Sequence, residues 1–521
     1  MNLKINNRFS NELPADPIET NETRQVENAC FSYVTPRIPS KPSLIHCSVE
    51  VAALLGISQE ETKTELFTNI FSGKELLENT QPYAMSYAGH QFGNWAGQLG
   101  DGRAIVLTEI DVNNINYTLQ LKGAGMTPYS RRADGLAVLR SSIREHLCSE
   151  AMFYLGVPTT RSLSLILTGD DVLRDVMYDG HPAYEKGAVV CRVAPSFIRF
   201  GNFELFSSQN DLATLKLLAD FTIKYYFPQI KGNNKDSYIA LLKNVANQTR
   251  EMIVHWQRVG FVHGVMNTDN MSVLGLTIDY GPYGWLEDYN PNWTPNTTDS
   301  AHRRYRFGNQ PEIALWNLYQ LANALYPLIE EAAPLEKILE DFQLRYQQDY
   351  HTMMLQKLGL TNLEEKDDQL IAILTDTLQL TETDMTIFFR NLSQLKDEDS
   401  EEKALTIVFD SFYKPEEVVA TIKESWLYWF ALYIKRLKIE NNSDENRKIS
   451  MDNTNPKYVL RNYMAQLAIE AAEKEDYALI EELHLLLKNP YQEQDKYSKW
   501  FAKRPDWARE KIGSSMLSCS S

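Results

Sequence analysis

The amino-acid sequence predicts an α+β fold with two lobes, a strand-rich lobe followed by a helical lobe and a long helical C-terminal extension. Alternating apolar and polar residues mark several segments before about residue 200, and apolar residues at helical spacing dominate after about residue 210. Further on the helical text becomes strongly acidic, as in "LEEKDDQL" and "LKDEDSEE". We therefore divide the chain into an N-terminal arm (1–75), a strand-rich lobe (76–200), a helical lobe (201–345) and an extension (346–521).

The first strands of the strand-rich lobe are predicted as an antiparallel hairpin around "DVNNIN" (111–116). The second of these strands alternates, with one face formed by Tyr117, Leu119 and Leu121 and the other by Thr118, Gln120 and Lys122. Two further strands are predicted in "SLSLILT" and "GAVVCRVA". Lys122 is therefore expected on the polar face of its strand.

Helices are predicted where apolar residues recur every three or four positions. Leu136, Leu139, Ile143 and Leu147 show this spacing in a segment that stops at Gly156. After residue 210, "NDLATLKLLADFTIKYYF" and "SYIALLKNVANQTREMIVHWQRVGF" have the same pattern. The N-terminal arm contains one helical stretch, "SLIHCSVEVAALLGI", and we expect the arm to pack onto the body of the protein.

The composition limits the kind of protein. With 52 Lys and Arg against 69 Asp and Glu, the formal charge is −17, which argues against a nucleic-acid partner because nucleic-acid binders usually carry a basic face. The N-terminus has no apolar signal region and no window approaches about 18 consecutive apolar residues, so no membrane association is expected. The cysteines are scattered and predict reduced thiols in a cytoplasmic protein: Cys30, Cys47, Cys148, Cys191 and Cys519.

A glycine-rich segment, "YAGHQFGNWAGQLGDGRAI", precedes the first strand of the hairpin. Its last two glycines, Gly100 and Gly102, stand just before Arg103. Glycines let a backbone approach a phosphate closely and direct its N–H groups toward it, but an ordinary strand-entry loop would have the same composition. Lys122 on the next strand suits a charge partner for ATP phosphates, and a solvent-facing lysine is the alternative.

Three more charged residues could complete a phosphate site. Glu145, in the predicted helix, could fix Lys122 toward a nucleotide, or it could be a surface glutamate. Arg192 and Arg199 stand seven residues apart in "CRVAPSFIRF", beside apolar residues, where each guanidinium needs an anion nearby. That anion could be a phosphate or a structural carboxylate.

The segment "GFVHGVMNTDNMSVLGLTIDYGP" (260–282) is similar to the catalytic loop of protein kinases. His263 and Asn270 keep the kinase interval between the loop His and the metal-binding Asn. Asp279 and Gly281 follow across a short apolar stretch, where kinases have Asp-Phe-Gly. The spacing therefore predicts a kinase-like loop.

One position breaks the kinase pattern, because Val265 stands where the catalytic Asp is expected. Asp269, four residues later, is a carboxylate that could accept a proton from a Ser, Thr or Tyr hydroxyl. Asn270 and Asp279 are oxygen donors of the type that hold Mg²⁺ beside phosphates. The loop is therefore expected to do different chemistry from phosphorylation.

Long stretches of the chain, most sharply between about residues 75 and 345, resemble the selenoprotein O family, protein adenylyltransferases with a pseudokinase fold. The matching segments are "YAGHQFGNWAGQLGDGRA", "LQLKGAGMTPYSRRADGLAVLRSSIREHL", "SFIRFGNFE" and "GFVHGVMNTDNMS" followed by "DYGP". The resemblance implies a bilobal, protein-kinase-like fold and transfer of AMP from ATP to protein hydroxyls with release of pyrophosphate. It also implies that ATP binds inverted, with its α-phosphate toward the acceptor, and that Mg²⁺ or Mn²⁺ takes part.

The resemblance further implies a role for each matched residue. Asp269 matches the proton acceptor, Glu145 matches the partner of the strand lysine, and Asn270 and Asp279 match the metal ligands. The positions that match the family's ATP contacts are Gly100, Gly102, Arg103, Lys122, Asp134, Gly135, Arg192, Arg199 and Asp279.

The C-terminus departs from the family's pattern. Many relatives end in two redox residues three positions apart, whereas here Met516 stands three positions before Cys519. An intramolecular redox pair at this end is therefore in doubt.

Three other activities stay open on the residues alone. A kinase-type phosphotransferase would use the kinase-like loop, and an inactive nucleotide-binding scaffold would explain Val265. Transfer of UMP from UTP is the third, because no residue in the sequence discriminates between bases.

Overall fold

The computed structural model describes residue 1 and residues 3–176, 180–440 and 442–518. Within these ranges an antiparallel sheet is followed by a long run of helices, which confirms the α+β class. Cys519 lies outside the described residues. No helix in the described ranges is long and apolar enough to cross a membrane.

Twelve strands are present in the described residues. They are β1 (Phe31–Tyr33), β2 (Ser43–Cys47), β3 (Tyr83–Met85), β4 (Ala88–Gln91), β5 (Asn94–Gln98), β6 (Ala104–Val112), β7 (Ile115–Lys122), β8 (Ala137–Val138), β9 (Arg161–Arg174), β10 (Ala183–Ala194), β11 (Phe261–Val262) and β12 (Gly284–Trp285). Eight of them form one sheet in the order β1-β3-β6-β7-β10-β9-β2, with β8 paired to β10. β4 pairs with β5, and β11 pairs with β12.

Helices make up most of the rest of the described chain. They are α1 (Arg8–Glu12), α2 (Val49–Leu54), α3 (Glu65–Ser72), α4 (Leu139–Tyr154), α5 (Phe200–Ser208), α6 (Leu212–Tyr226), α7 (Lys235–Val259), α8 (Gln310–Leu325), α9 (Ala333–Lys357), α10 (Asp367–Thr377), α11 (Met385–Leu392), α12 (Glu401–Val408), α13 (Ala420–Leu437), α14 (Asp444–Thr454), α15 (Asn462–Ala472) and α16 (Ala478–Leu487). Short 3₁₀ helices join several of these elements, and the one that matters for the site covers Thr268–Asn270.

The predicted hairpin is β6 and β7. Its turn residues Asn113 and Asn114 have φ angles of 53° and 68°, which suits asparagine and the two-residue turns that match strand twist. The predicted helix before Gly156 is α4, although it begins at Leu139 because the preceding two residues pair with β10 as β8. Gly156 follows the helix with a φ of 72°, a conformation that glycine adopts at low cost.

Two predictions about the N-terminal half were wrong. The first part of "SLIHCSVEVAALLGI" is strand β2, because it pairs with β9 at the edge of the sheet, and helix α2 begins only at Val49. Ser48 separates them and accepts a hydrogen bond from the N–H of Val51 as the N-cap. The glycine-rich segment, predicted as a loop, contains the hairpin of β4 and β5.

The main sheet is covered on both faces. Leu119 and Leu121 of β7 are completely buried against α2 and α3, and each such side chain stabilises the fold by about 1.5–3 kcal/mol. The opposite face packs on α4 through Ile143 and Leu147. Since side chains alternate along a strand, Lys122 points to the α4 side of the sheet and not to open solvent.

A separate core holds much of the C-terminal helical part together. It is formed by side chains from α9 to α14, and its largest members are Trp426 and Trp429 of α13, both completely buried. The acidic C-terminal region predicted as helical is thus a packed helical unit. Most charges of the two acidic runs are exposed, whereas Asp367 and Asp384 are completely buried.

Candidate active site

A cavity of about 450 Å³ opens between the sheet and the segment that follows β11. Its volume lies in the range of small-molecule sites. The site residues predicted from the sequence that line it are Gly100, Gly102, Arg103, Lys122, Arg192, Asp269, Asn270 and Asp279. Residues from the strand-rich lobe and from the helical lobe therefore meet in one cavity.

The glycine rim of the cavity is shaped by Tyr129. Gly100 has a φ of 81°, and a side chain there would run into the Tyr129 ring. A Cβ on Gly102 would lie 2.8 Å from the Tyr129 carbonyl oxygen. The two glycines therefore allow the rim to pack tightly, and the exposed side chain of Arg103 follows directly at the mouth.

Lys122 is held by a carboxylate of α4. Its ammonium forms an ion pair with Glu145, whose other oxygen lies 3.1 Å from Arg192 Nη1. Burial lowers the pKa of Lys122, and the negative charge of Glu145 opposes that effect. Only 11 % of the Lys122 side chain is exposed, which excludes the solvent-facing alternative.

Arg192 and Arg199 share one anion, the carboxylate of Asp279. Arg192 contacts one oxygen and Arg199 Nη1 lies 2.5 Å from the other. Burial alone would raise the pKa of Asp279, but the two guanidinium groups hold it well below its usual value. The anion that contacts both arginines in the structure is thus the Asp279 carboxylate, and Arg199 lies behind Asp279, outside the cavity wall.

Two residues of this network were missed by the sequence analysis. Asp101 accepts hydrogen bonds from the Met85 N–H and the Gln120 amide, both at 3.1 Å, and lies 3.8 Å from Arg199. The amide oxygen of Gln120 accepts a hydrogen bond from Arg192, so Gln120 links Arg192 to Asp101. Gln120 shares a strand face with Lys122, and this signal was present in the sequence.

Asp269 sits in a different environment from Asp279. One of its carboxylate oxygens accepts a hydrogen bond from the Gln91 amide at 3.3 Å, and the other is buried without a hydrogen-bond partner. Burial raises the pKa of Asp269 to about 7, although Arg199 opposes the rise. Gln91 comes from the end of β4, and nothing in the local sequence indicates this long-range contact.

The kinase-like loop is fixed by hydrogen bonds within its own segment. His263 Nε2 donates a hydrogen bond of 2.9 Å to the carbonyl of Ile278, the residue before Asp279. This bond connects the two ends of the loop. The Asn270 amide nitrogen donates to the Val265 carbonyl at 2.9 Å. Val265 itself lines the cavity, so the position of the kinase Asp faces the same space.

The oxygen atoms near Asn270 suit a hard divalent cation. The amide nitrogen of Asn270 is already engaged, which leaves its oxygen for a ligand, and Asp269 presents a buried oxygen without a partner. Carboxylate and amide oxygens are the ligands that Mg²⁺ prefers, usually in small number beside phosphates. Among the described residues no group of three His, Cys, Asp or Glu side chains forms an all-protein metal site.

Two predicted ATP contacts lie beside the cavity and not in its wall. Asp134 is exposed and binds Arg174 through two hydrogen bonds of 2.8 Å. Gly135 is buried with a φ of 70° and packs against Gly125. A contact between Asp134 and a nucleotide would require its carboxylate to leave Arg174.

Known proteins similar to this chain share one class. The chain is 68% identical to the protein nucleotidyltransferase YdiU of Flavobacterium johnsoniae over 520 residues, the whole of both chains. Proteins of the same name from Rhodopirellula baltica and Aromatoleum aromaticum are each 52% identical, over 537 and 525 residues. These alignments cover all of this chain and 99% and 100% of the relatives. The class is thus that of nucleotidyltransferases.

The family is narrower than the class. Residues 19–488 match the family model described as protein adenylyltransferase SelO, and the chain belongs to that family. The resemblance stated from the sequence segments and the prediction of a nucleotidyltransferase enzyme are both confirmed.

Proposed function

We propose that the enzyme transfers AMP from ATP to Ser, Thr or Tyr hydroxyls of proteins and releases pyrophosphate. The observation that carries this proposal is the contrast between two carboxylates in one cavity. The pKa of Asp269 is raised to about 7 by burial, whereas two arginines keep the pKa of Asp279 well below its usual value. Environments that separate two carboxylates in this way assign one as a proton acceptor and the other as a permanent anion.

In the proposed reaction Asp269 accepts the proton of the acceptor hydroxyl. The hydroxyl oxygen forms a bond to the α-phosphorus, and the bond from that phosphorus to the pyrophosphate oxygen breaks. Lys122 and Arg192 line the same cavity and would stabilise the charge that develops on the leaving pyrophosphate. The β4–β5 hairpin packs closely against Asp269, since a Cβ on Gly89 would lie 3.0 Å from the Asp269 side chain.

We propose Asn270 and Asp279 as the residues that would hold Mg²⁺ or Mn²⁺ with the phosphates. Such a cation, when bound, would neutralise phosphate charge and polarise the α-phosphate. Asp279 is suited to this role because its lowered pKa keeps it ionised and because it lines the cavity together with Asn270. Arg192 and Arg199 orient that carboxylate from behind.

The proposed nucleotide pose is inverted relative to that in kinases, within a bilobal, protein-kinase-like fold. The ion pair between Lys122 and Glu145 and the loop from His263 to Asp279 support that fold. The inverted pose is supported by Val265, because the cavity lacks a carboxylate at the kinase position for attack on the γ-phosphorus. Asp269 is then the carboxylate left to receive the acceptor proton.

UMP transfer from UTP is a second candidate for the same site. The groups identified in the cavity act on phosphates, and the charges of Lys122, Arg192 and Asp279 are indifferent to the base. A preference between ATP and UTP, or between Mg²⁺ and Mn²⁺, would therefore appear only in direct competition between the nucleotides with each metal.

We also infer that the enzyme is cytoplasmic. The described cysteines, Cys30, Cys47, Cys148 and Cys191, are free thiols, as expected of a reducing compartment. Cell fractionation followed by detection of the enzyme would test this location, and recovery in an oxidising compartment would contradict it.

The test of the proposed function is a comparison of two labels. Purified enzyme with Mg²⁺ or Mn²⁺ should transfer radioactivity to protein from α-³²P-ATP and not from γ-³²P-ATP, and mass spectrometry should locate AMP on hydroxyl side chains. Asp269→Asn should slow labelling by roughly 10²–10⁴ and Asp279→Ala should abolish it, while Asp171→Asn, a change at an exposed carboxylate of β9, should do neither. Label from the γ-position would establish a kinase instead, and ATP binding without any product would indicate an inactive scaffold.

A further inference from the structure

Several arginines in the cavity wall and in the neighbouring segment 303–306 form no ion pair. Five of them form no ion pair with any described residue: Arg103, Arg131, Arg303, Arg304 and Arg306. Arginines elsewhere are commonly paired, as Arg461 is with Glu287 and Asp384. In a chain with a formal charge of −17, guanidinium groups without an ion pair in one cavity and in the segment beside it indicate a place for an anion from outside.

Two of the five, Arg103 and Arg131, line the cavity and are available to a nucleotide. The other three belong to the segment 303–306, which is anchored at the rim. Tyr305 Oη donates to Asn267 Oδ1 at 2.5 Å and accepts from the Phe92 N–H at 3.0 Å. Both Asn267 and Phe92 line the cavity, so the segment lies at the edge on the side of Asp269.

Aromatic side chains continue this edge outward. Arg304 lies 4.7 Å from the Trp316 ring of α8, and a Cβ on Gly93 would be 3.2 Å from its guanidinium carbon. The His90 ring stands 5.4 Å from Trp316 and 5.0 Å from Trp95, which is 45% exposed. The Nε of Arg304 is buried without a hydrogen-bond partner. A cation is thus fixed beside exposed aromatic area.

We define the rim surface as Trp95, Arg303, Arg304, Arg306 and Trp316. We propose that the rim surface is the docking site of the acceptor protein and that it takes an acidic segment of that protein. This inference rests on the proposed function, because it places the acceptor hydroxyl beside Asp269. Tryptophan and arginine are the side chains that most often dominate protein interfaces, and a guanidinium can bind a carboxylate through two hydrogen bonds.

The overall negative charge of the enzyme does not oppose this docking at short range. Charges more than about 10 Å apart are largely screened at ordinary ionic strength, so the local arginines decide which segment binds. An acidic acceptor segment also stays clear of the nucleotide, because its carboxylates would bind at the rim and leave the hydroxyl residue to enter the cavity.

Binding of short fluorescent peptides in the absence of nucleotide tests the proposal separately from catalysis. Each peptide carries one Ser in the centre, flanked by Glu in one peptide and by Gln in its matched control. The Glu peptide should bind about tenfold more tightly at low salt, since screened ion pairs contribute factors of roughly two to five each. Its advantage should shrink as salt is added, as measured by fluorescence anisotropy.

Charge reversal locates the site. The double variant Arg303→Glu, Arg306→Glu should remove the preference for the Glu peptide and keep the affinity for ATP. Arg303→Lys with Arg306→Lys should retain most of the preference, and Arg345→Glu, an exposed arginine of α9, should retain all of it.

Two results would overturn the docking proposal: equal binding of the Glu and Gln peptides, or loss of the preference in Arg345→Glu as well as in the rim variant. If AMP transfer failed, the peptide-binding result could still be interpreted, because binding is measured without nucleotide. Transfer that proceeds without any peptide preference would refute the rim surface alone.

Discussion

Replacing His46 by Gln should remove part of the protein's sensitivity to acid. His46 of β2 meets two other buried histidines, His146 of α4 and His484 of α16. Its Nδ1 is 2.7 Å from His146 Nε2, its Nε2 is 2.9 Å from Glu481, and its ring centre is 4.7 Å from that of His484. This contact joins the edge of the sheet to the C-terminal region, directly beside Glu145, the partner of Lys122.

The direction of the expected change in acid sensitivity follows from the pKa of each histidine ring. Burial lowers the pKa of His46 to about 4, with His484 adding to the effect and Glu481 opposing it. Burial also lowers the pKa of His146, to which His46 adds, and that of His484, where Glu150 opposes the effect. The charged groups that face the cluster are Glu481, Glu50, Glu150 and Lys488.

A lowered pKa in the folded state means that the unfolded chain takes up the proton first. The stabilising contribution of the neutral ring is therefore complete above pH 6.5 and is lost as the pH falls toward the folded pKa. From pH 6.5 to pH 5 the loss is about 2 kcal/mol for His46, since one pKa unit corresponds to about 1.4 kcal/mol. For a chain of 521 residues, whose unfolding entropy is about 1.1 kcal/mol/K, that corresponds to about 2 °C in melting temperature.

The assay is thermal unfolding at pH 8, 7, 6 and 5. His46→Gln should lose about 2 °C less than the wild type between pH 7 and pH 5, whatever its melting temperature at pH 8. His302→Gln, a change at an exposed histidine, should melt in parallel with the wild type. If His46→Gln and the wild type lose the same number of degrees, the cluster is not a source of acid sensitivity.

Three further changes address the cavity. Asp269→Asn should lower the initial rate of AMP transfer by roughly 10²–10⁴ with little change in ATP affinity measured by titration, because only the proton acceptor is lost. Arg199→Met should destabilise the protein by about 3–5 kcal/mol by leaving Asp279 with one buried partner, and Arg199→Lys should recover part of the melting temperature. Gly102→Ala should weaken ATP binding at least several-fold, because its methyl would lie 2.8 Å from the Tyr129 carbonyl and displace the rim. Unchanged transfer, melting or binding, respectively, would contradict each expectation.

The parts of the site that could be predicted are those whose residues lie close together in the sequence. Asp269, Asn270 and Asp279 lie within eleven residues of one another and line one cavity. His263 lies outside its wall and holds the segment through the Ile278 carbonyl. The side of the strand on which Lys122 lies could also be predicted, because side chains alternate between the two faces of a strand. Such features need only local geometry.

The parts that could not be predicted depend on contacts between distant segments. Strand β2 forms because β9 offers it an edge, which overrides its apparent helical pattern. The contact of Gln91 with Asp269 spans 178 residues, and Asp101 joins the arginine network only when the sheet is assembled. For the same reason, the ion pair between Arg174 and Asp134 could not be predicted from the sequence.

The absence of an acid at Val265 also bears on how Asp269 works. A carboxylate at Val265 would face the same cavity as Asp269 and Asp279, and like charges raise the pKa of the weaker acid. Burial already raises the pKa of Asp269 to about 7. With a further rise, the Asp269 carboxyl would be mostly protonated in neutral solution and unable to accept a proton. The apolar residue at the kinase position therefore favours the proposed role of Asp269 as the base, and the arginines that neutralise Asp279 act in the same direction.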